Sequence, residues 1–462
     1  MTEALRYDKD SFANILRETL KIAEKYVSKD LDSLPPGILV DDLPLVNLPG
    51  KGLGAVNVLK QFETRYANLI TNSAGPRYFG FVTGGATPAS VAGDWLVSTY
   101  DQNACGSNDS IAPQLERQAI DFIRQLLGIE KDFFGSFVTG ATMSNMVGLS
   151  CGRQWAGEQQ GFDFSNEGIT GKINVLSGTP HSTILKSLAM IGVGRKNVIY
   201  VKTIDNREAV DITELEKQLS QQSQPVIVVA NAGTVNTVDF DDLVAIGKLK
   251  EKYSFWLHID AAFGGFAGAS PKYRHLTEGI NYADSICVDA HKWLNVPYDA
   301  AMQFTKHKNI QLKIFQNAGA AYLSDPDQSS DFFHYTPETS RRFRALPAWF
   351  SLMAYGREGH CEIVERNCAM AMKFGVWLEQ SDKFTLLAPV RMNVVCFTLS
   401  GNRSASEVKS FLDKVRIDGR AYFTPTTYKG TPAIRAAVSN WLTSDNDIDI
   451  TIQALKELAK DF

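Results

Sequence analysis

Residues 256–265 read WLHIDAAFGG and residues 285–294 read SICVDAHKWL. Each block is an apolar run that ends in a polar cluster, the pattern of a buried parallel strand emerging at a site-forming edge. The first delivers Asp260, followed by the small Ala261 and Ala262; the second delivers His291 and Lys292. A lysine after a strand is ordinarily a solvated surface amine. Flanked by His291 and Trp293 and matched with an Asp–Ala–Ala strand end, Lys292 reads instead as a reactive amine.

The chemistry that wants this set is pyridoxal phosphate catalysis. A lysine amine holds the cofactor aldehyde, and a carboxylate keeps the pyridine nitrogen protonated so that the ring accepts electrons. Alanines after the carboxylate let a flat ring lie against the strand. The residues resemble the group II pyridoxal-phosphate decarboxylases, which include aromatic-amino-acid, glutamate and cysteine-sulfinate decarboxylases. HIDAAFGG (258–265) is similar to that family's H-V-D-A-A block and DAHKWL (289–294) to its N-P-H-K-W block. The likeness runs from about Pro76 to Trp441. It implies an α/β chain with the type I, aminotransferase-like fold: a mostly parallel large-domain sheet and a small C-terminal α+β domain. It also implies a homodimer with shared active sites and α-decarboxylation of an L-amino acid to CO₂ and an amine, with Lys292, His181 and Asp260 as the catalytic set.

At 462 residues the chain is long enough for two or three domains. Hydrophobic residues at 44% and charged residues at 21% are ordinary for a water-soluble chain. A net charge of −4 gives no electrostatic case for nucleic acid or an anionic membrane. The start, MTEALRYDKD, lacks the basic end and unbroken apolar run of a secretory leader, and no apolar run is long enough to span a bilayer. The six cysteines (105, 151, 287, 361, 368, 396) form no C-x-x-C pair and read as reduced core residues of a cytoplasmic protein. His258 and Asp260 can be drawn as a metal pair but share one strand face with no third ligand, so no metal is expected.

Taken in order, residues 1–75 read as an amphipathic helix, with Phe12, Ile15, Leu16, Leu20 and Ala23 on one face, and a Pro-rich arm. The family's N-terminal segment packs on a partner subunit; a free surface helix is the alternative. Residues 76–345 form the large cofactor-binding domain. Its PRYFG opening (76–80) resembles the family's P-R-F-F-G block, which puts Phe81 and Val82 near a substrate side chain, with loop packing as the competing account. SFVTGATMSNMVGL (136–149) reads as strand, glycine turn and helix start, whose backbone N–H groups can cradle a phosphate. Its likeness to the glutamate decarboxylase form G-G-A-I-S-N-M assigns Ala141 and Thr142 to that cradle, although Thr142 also suits an ordinary helix cap.

Strands are expected at 173–178, 197–201, 226–230, 255–259 and 285–289, separated by helices at 182–192, 211–222 and 240–252, as in a parallel sheet covered on both faces. His181, Thr234, Asp260 and Lys292 each follow or close such a strand. The resemblance implies that His181 stacks on the cofactor ring and that Thr234, Ala262 and His291 lie near the cofactor. Capping remains the alternative for His181 and Thr234.

Residues 309–345 read as a polar loop. In the decarboxylases this loop carries a tyrosine that returns the proton to carbon. Aligned from SRRFRAL (340–346) its place falls on Phe332; aligned from AAYLSDPDQ (320–328) it falls on Ser330. Tyr335 substitutes only with a different register. Relatives with phenylalanine there are aldehyde synthases, so oxidative decarboxylation to an aldehyde is the first alternative. An aminotransferase or lyase, and a non-catalytic cofactor-binding protein, are further ones. Asp289 stands where the family has asparagine, and must point away from a phosphate, be protonated or meet a cation. Residues 346–462 read as the small domain, with Arg435 on a strand. There a guanidinium can grip a substrate carboxylate, as in the similar F-R-M-V-I-S block, or form an inter-strand salt bridge.

Overall fold

The apolar runs that alternate with helical stretches build one twisted sheet. A computed structural model describes residues 1–30, 46–106, 110–317 and 331–462. Its strands are β1 (Phe134–Val138), β2 (Asn174–Ser177), β3 (Val198–Tyr200), β4 (Val226–Asn231), β5 (Phe255–Asp260), β6 (Ser285–Asp289) and β7 (Ala301–Thr305), in the spatial order β1-β7-β6-β5-β4-β2-β3. From β6 through β5, β4 and β2 to β3 every pairing is parallel, and helices 182–190, 212–220 and 243–249 make the crossovers. Every residue of β4, β5 and β6 is buried, which is why these strands read as continuous apolar runs rather than alternating ones.

The sequence reading omits β7, which runs antiparallel between β6 and β1. Its AMQFT string carries two polar residues, yet all five positions are buried. Gln303 Nε2 donates to Ser136 Oγ at 2.9 Å and Thr305 Oγ1 donates to the Asp284 carbonyl at 3.0 Å, so tertiary hydrogen bonds offset part of the polarity, with Gln303 Oε1 left without a partner among the described residues.

After the long helix Ala345–Glu379, which breaks at Gly356 with φ of 57°, comes a second, antiparallel sheet. Its strands β8 (Phe384–Leu386), β9 (Val394–Leu399), β10 (Thr424–Tyr428) and β11 (Thr431–Ala437) lie in the order β10-β11-β9-β8. Phe397 anchors its core edge-to-face against Phe374 and Phe423, at 5.5 and 5.9 Å between ring centres. Helix Asp445–Leu458 starts at Ser444, whose backbone N–H donates to Asp447 Oδ2 at 2.9 Å. The N-terminal helices Glu3–Asp10 and Phe12–Lys25 bury no residue, and Phe12, Leu16 and Leu20 stay exposed. Of the Pro-rich arm, residues 31–45 lie outside the described residues. Among the described residues no helix is long and apolar enough to cross a membrane.

Helix Ala141–Glu158 lies across β4, β5, β6 and β7. Its approach is closest at Gly148, where a Cβ would come within 2.7 Å of His258 ring atoms and 3.0 Å of Ser285 Oγ. Only glycine lets the helix sit this low. Gly148→Ala is expected to destabilise the fold by about 1–3 kcal/mol, the usual cost of overpacking a core, seen as a lower urea midpoint with an unchanged m-value.

Candidate active site

Strand ends and one helix start converge on a cavity of about 220 Å³. Asp260 closes β5, Lys292 follows β6 in the short helix Ala290–Trp293, and His181 caps helix Ser182–Met190 after β2. Among the expected site residues, Phe81, Val82, Ala141, His181, Asp260, Ala262, Lys292 and Arg435 all line this cavity. Positions scattered from 81 to 435 meet at one point, as the carboxyl edge of a parallel sheet requires.

Lys292 Nζ lies 3.3 Å from Asp289 Oδ2 and 5.7 Å from the centre of the Phe263 ring. Burial works against its ammonium, but Asp289, then Asp260 and Cys287, outweigh that and raise its pKa. Asp289 is 2% exposed, and His291 Nε2 stands 3.2 Å from its Oδ1, an electrostatic contact without hydrogen-bond alignment. Of the three options open for Asp289, the structure selects contact with a cation.

Asp260 is 7% exposed and accepts hydrogen bonds from the Ala262 N–H at 3.2 Å and Asn145 Nδ2 at 3.3 Å. His181 Nδ1 accepts from the Thr183 N–H at 3.3 Å, so the residue is a cap and a cavity wall at once. Burial lowers its pKa, partly offset by Asp260, and keeps the imidazole neutral. Helix Ala141–Glu158 begins beside the cavity with no side-chain cap at Gly140, leaving its first-turn N–H groups to an anion.

Arg435 lies on β11 and is 8% exposed. Nη1 donates to the Val235 carbonyl at 3.1 Å, while Nε has no partner. No carboxylate pairs with it among the described residues, so the inter-strand salt bridge is absent there. Phe81 and Val82 adopt φ of 54° and 61°. A β-branched residue in that region is strained, a feature that concentrates at functional sites.

Other expected positions fall outside the cavity lining. Thr234 Oγ1 donates to Glu208 Oε2 at 2.6 Å and is buried, although its neighbours Gly233 and Val235 do line the cavity. Thr142 sits one residue inside the uncapped helix start. The His291 ring stacks on Tyr298 at 4.2 Å, and its Nδ1 accepts from the Ala300 N–H at 3.2 Å. The structure does not bring Phe332 to the cavity of its own chain. Its ring is fully buried, 4.8 Å from the Arg341 guanidinium and 5.4 Å from that of Arg117. Tyr335 is buried against Phe134, and Ser330 lies outside the described residues. His258, drawn from sequence as half of a metal pair, is held by Ser285 and Asn145. Among the described residues no three His, Cys, Asp or Glu side chains converge as metal ligands.

Sequence reasoning missed Asn145, Phe263 and Asn231. Asn145 belongs to the SNM string that carries the resemblance, but its partners at 183, 258 and 260 are visible only once the helix lies on the sheet.

Comparison with known proteins identifies the family and the fold. The family model described as "Pyridoxal-dependent decarboxylase conserved domain" matches residues 41–400. An aromatic-L-amino-acid decarboxylase of Drosophila lebanonensis is 28% identical over 364 residues, covering 75% of this chain and 89% of the relative. A 4-hydroxyphenylacetaldehyde synthase of Rhodiola rosea is 24% identical over 442 residues, 92% of this chain and 89% of that one. Among solved structures, Oryza sativa TDC with PLP and tryptamine superposes with a TM-score of 0.88 at 22% identity, covering 98% of both chains. Mouse CSAD also gives 0.88, at 20% identity, over 98% of this chain and 100% of that one. These likenesses carry the type I fold. The cavity suits pyridoxal phosphate: an amine for the aldehyde, a buried carboxylate for the ring nitrogen and an uncapped helix start for the phosphate. The chain belongs to the pyridoxal-dependent decarboxylase family, carboxy-lyases that work with pyridoxal phosphate.

Proposed function

We propose that the protein removes the α-carboxyl group of an L-amino acid, releasing CO₂ and an amine. The observation that carries this reading is the meeting of Lys292, Asp260 and Arg435 in one cavity. When bound, pyridoxal phosphate supplies the electron sink that lets the α-carbon lose CO₂. Lys292 gives the amine that holds the cofactor covalently. Asp260 keeps a proton on the ring nitrogen. His181 presents a neutral ring face, and the N–H groups at Ala141 and Thr142 bind the phosphate. Arg435, a buried cation without an acidic partner among the described residues, grips a substrate carboxylate, and Phe81 and Val82 bound the side-chain end. The relatives named above point to an aromatic L-amino acid.

One feature supports an assembly and another a compartment. The exposed apolar face of Phe12, Leu16 and Leu20 suits burial against a second copy, so the proposal includes a homodimer with shared sites. Six cysteines with no C-x-x-C pair suit a reducing cytoplasm. A second reading, aldehyde formation, is favoured by the Rhodiola rosea relative. Mixing the protein with pyridoxal phosphate and each aromatic L-amino acid, and assaying CO₂, amine, aldehyde and peroxide, separates the two; no CO₂ from any amino acid rejects both.

Borohydride reduction of the cofactor-loaded protein is expected to leave the pyridoxyl group on Lys292 alone, and an adduct mapped to another lysine refutes its role. Asp289→Asn is expected to speed cofactor capture by the apoprotein several-fold at neutral pH. The sign follows from the raised pKa of Lys292: the reactive form is the free amine, which gains population as pH rises. Removing the nearest carboxylate lowers that pKa and brings capture to lower pH. Stopped-flow absorbance against pH reads the shift, and an unmoved profile removes Asp289 as the counter-ion. Arg435→Met is expected to raise KM by about tenfold to a hundredfold, since a hydrogen bond to a charged group contributes ~1.5–3 kcal/mol. An unchanged KM means that the carboxylate binds elsewhere.

A further inference from the structure

Behind Asp260 lies a chain of hydrogen bonds with only one self-consistent direction. Trp256 Nε1, which can only donate, points at Ser285 Oγ at 2.9 Å. Ser285 Oγ lies 2.8 Å from His258 Nδ1 and 3.4 Å from the Gly148 carbonyl, so its proton goes to the nearer imidazole. His258 Nε2 lies 2.9 Å from Asn145 Oδ1, an acceptor, and therefore carries the ring proton. The Asn145 amide then donates twice, to Asp260 Oδ2 at 3.3 Å and to Thr183 Oγ1 at 3.1 Å. Thr183, having accepted, gives its own proton to His181 Nδ1 at 2.8 Å, and its backbone N–H points at the same nitrogen at 3.3 Å.

The reverse orientation of Asn145 fails. It would turn an amide oxygen toward the Asp260 carboxylate and leave two acceptors facing each other in a buried site. Asn145, His258 and Ser285 are each 0% exposed, so no solvent repairs such a mismatch. Burial also lowers the His258 pKa to about 4, so the ring keeps a single proton at neutral pH.

We propose that Asn145, oriented by His258, is a positioning residue whose one amide fixes Asp260 as a proton acceptor and His181 as the Nε2–H tautomer. The inference rests on the proposed reading that Asp260 and His181 face the cofactor ring. Its consequence is that both groups are set by one side chain that never touches the ring. Ala262 and Asn145 each hold one site, on opposite oxygens of Asp260, and its remaining lone pairs are left for the ring N–H. His181 is left with a donor at Nε2.

NMR of the wild-type protein with isotope-labelled histidine tests this without any substitution. Both His258 and His181 are expected as Nε2–H tautomers; an Nδ1–H at either one overturns the inference. Because the tautomers are readable with or without cofactor, this arm decides even if the protein fails to take up pyridoxal phosphate, which would sink the proposed function instead. Substitutions supply the second arm. Asn145→Ala is expected to lower kcat by about tenfold to a hundredfold, the usual effect of losing such outer contacts, with KM nearly unchanged. It should also weaken the ring-nitrogen protonation seen by NMR of labelled, bound cofactor. His258→Gln keeps an N–H at the Nε2 position and should retain most of the rate, whereas His258→Leu should fall as far as Asn145→Ala. Unfolding midpoints confirm that each variant is folded. Equal losses in the Gln and Leu variants, or an unshifted ring-nitrogen signal in Asn145→Ala, would show a merely structural role.

Discussion

A carboxylate held almost fully buried, Asp260, is the constraint to which the rest of this molecule answers. Taking Asp260 out of water is costly unless hydrogen bonds replace the lost solvent. The backbone N–H of Ala262 and the amide of Asn145 do so. For Asn145 to reach, helix Ala141–Glu158 must lie directly on β5 and β6, which is why a glycine stands at 148. The same seating brings the uncapped start of that helix to the cavity. Position of the helix, charge of the carboxylate and opening for an anion are thus one arrangement seen from three sides.

A second charge pattern is layered on the first. Lys292 and Asp289 lie three residues apart across a single helical turn, with the carboxylate facing the amine. An asparagine there would hydrogen-bond without pulling on the lysine proton. Asp289 therefore biases the amine toward its charged form, at the position where the proposed function calls for a neutral one.

Much of this was legible along the chain. Strands buried on both faces announce themselves as apolar runs, and the residues closing them, Asp260 and Lys292, carry chemistry that few other contexts need. The illegible parts share one cause, dependence on partners remote in sequence. β7 is polar at Gln303 and Thr305, and what satisfies those side chains, Ser136 and the Asp284 carbonyl, is remote in sequence. Thr234 follows a strand as expected but spends its hydroxyl on Glu208. Phe332, placed by local alignment in a loop tip, is drawn into the body of the protein by two guanidinium groups. Asn145 looked like one polar residue in a helix until β5 and the start of the next helix supplied its partners.

The walls of the cavity come from other places than its floor. Asp260 and the groups behind it belong to the parallel sheet and one helix, whereas Phe81, Val82 and Arg435 arrive on an early loop and on β11 of the second sheet. On the proposed reading, electronic control and molecular recognition therefore rest on separate parts of the chain. On that reading, a substitution in a wall segment changes which amino acid side chain fits while the hydrogen bonds to Asp260 stay intact.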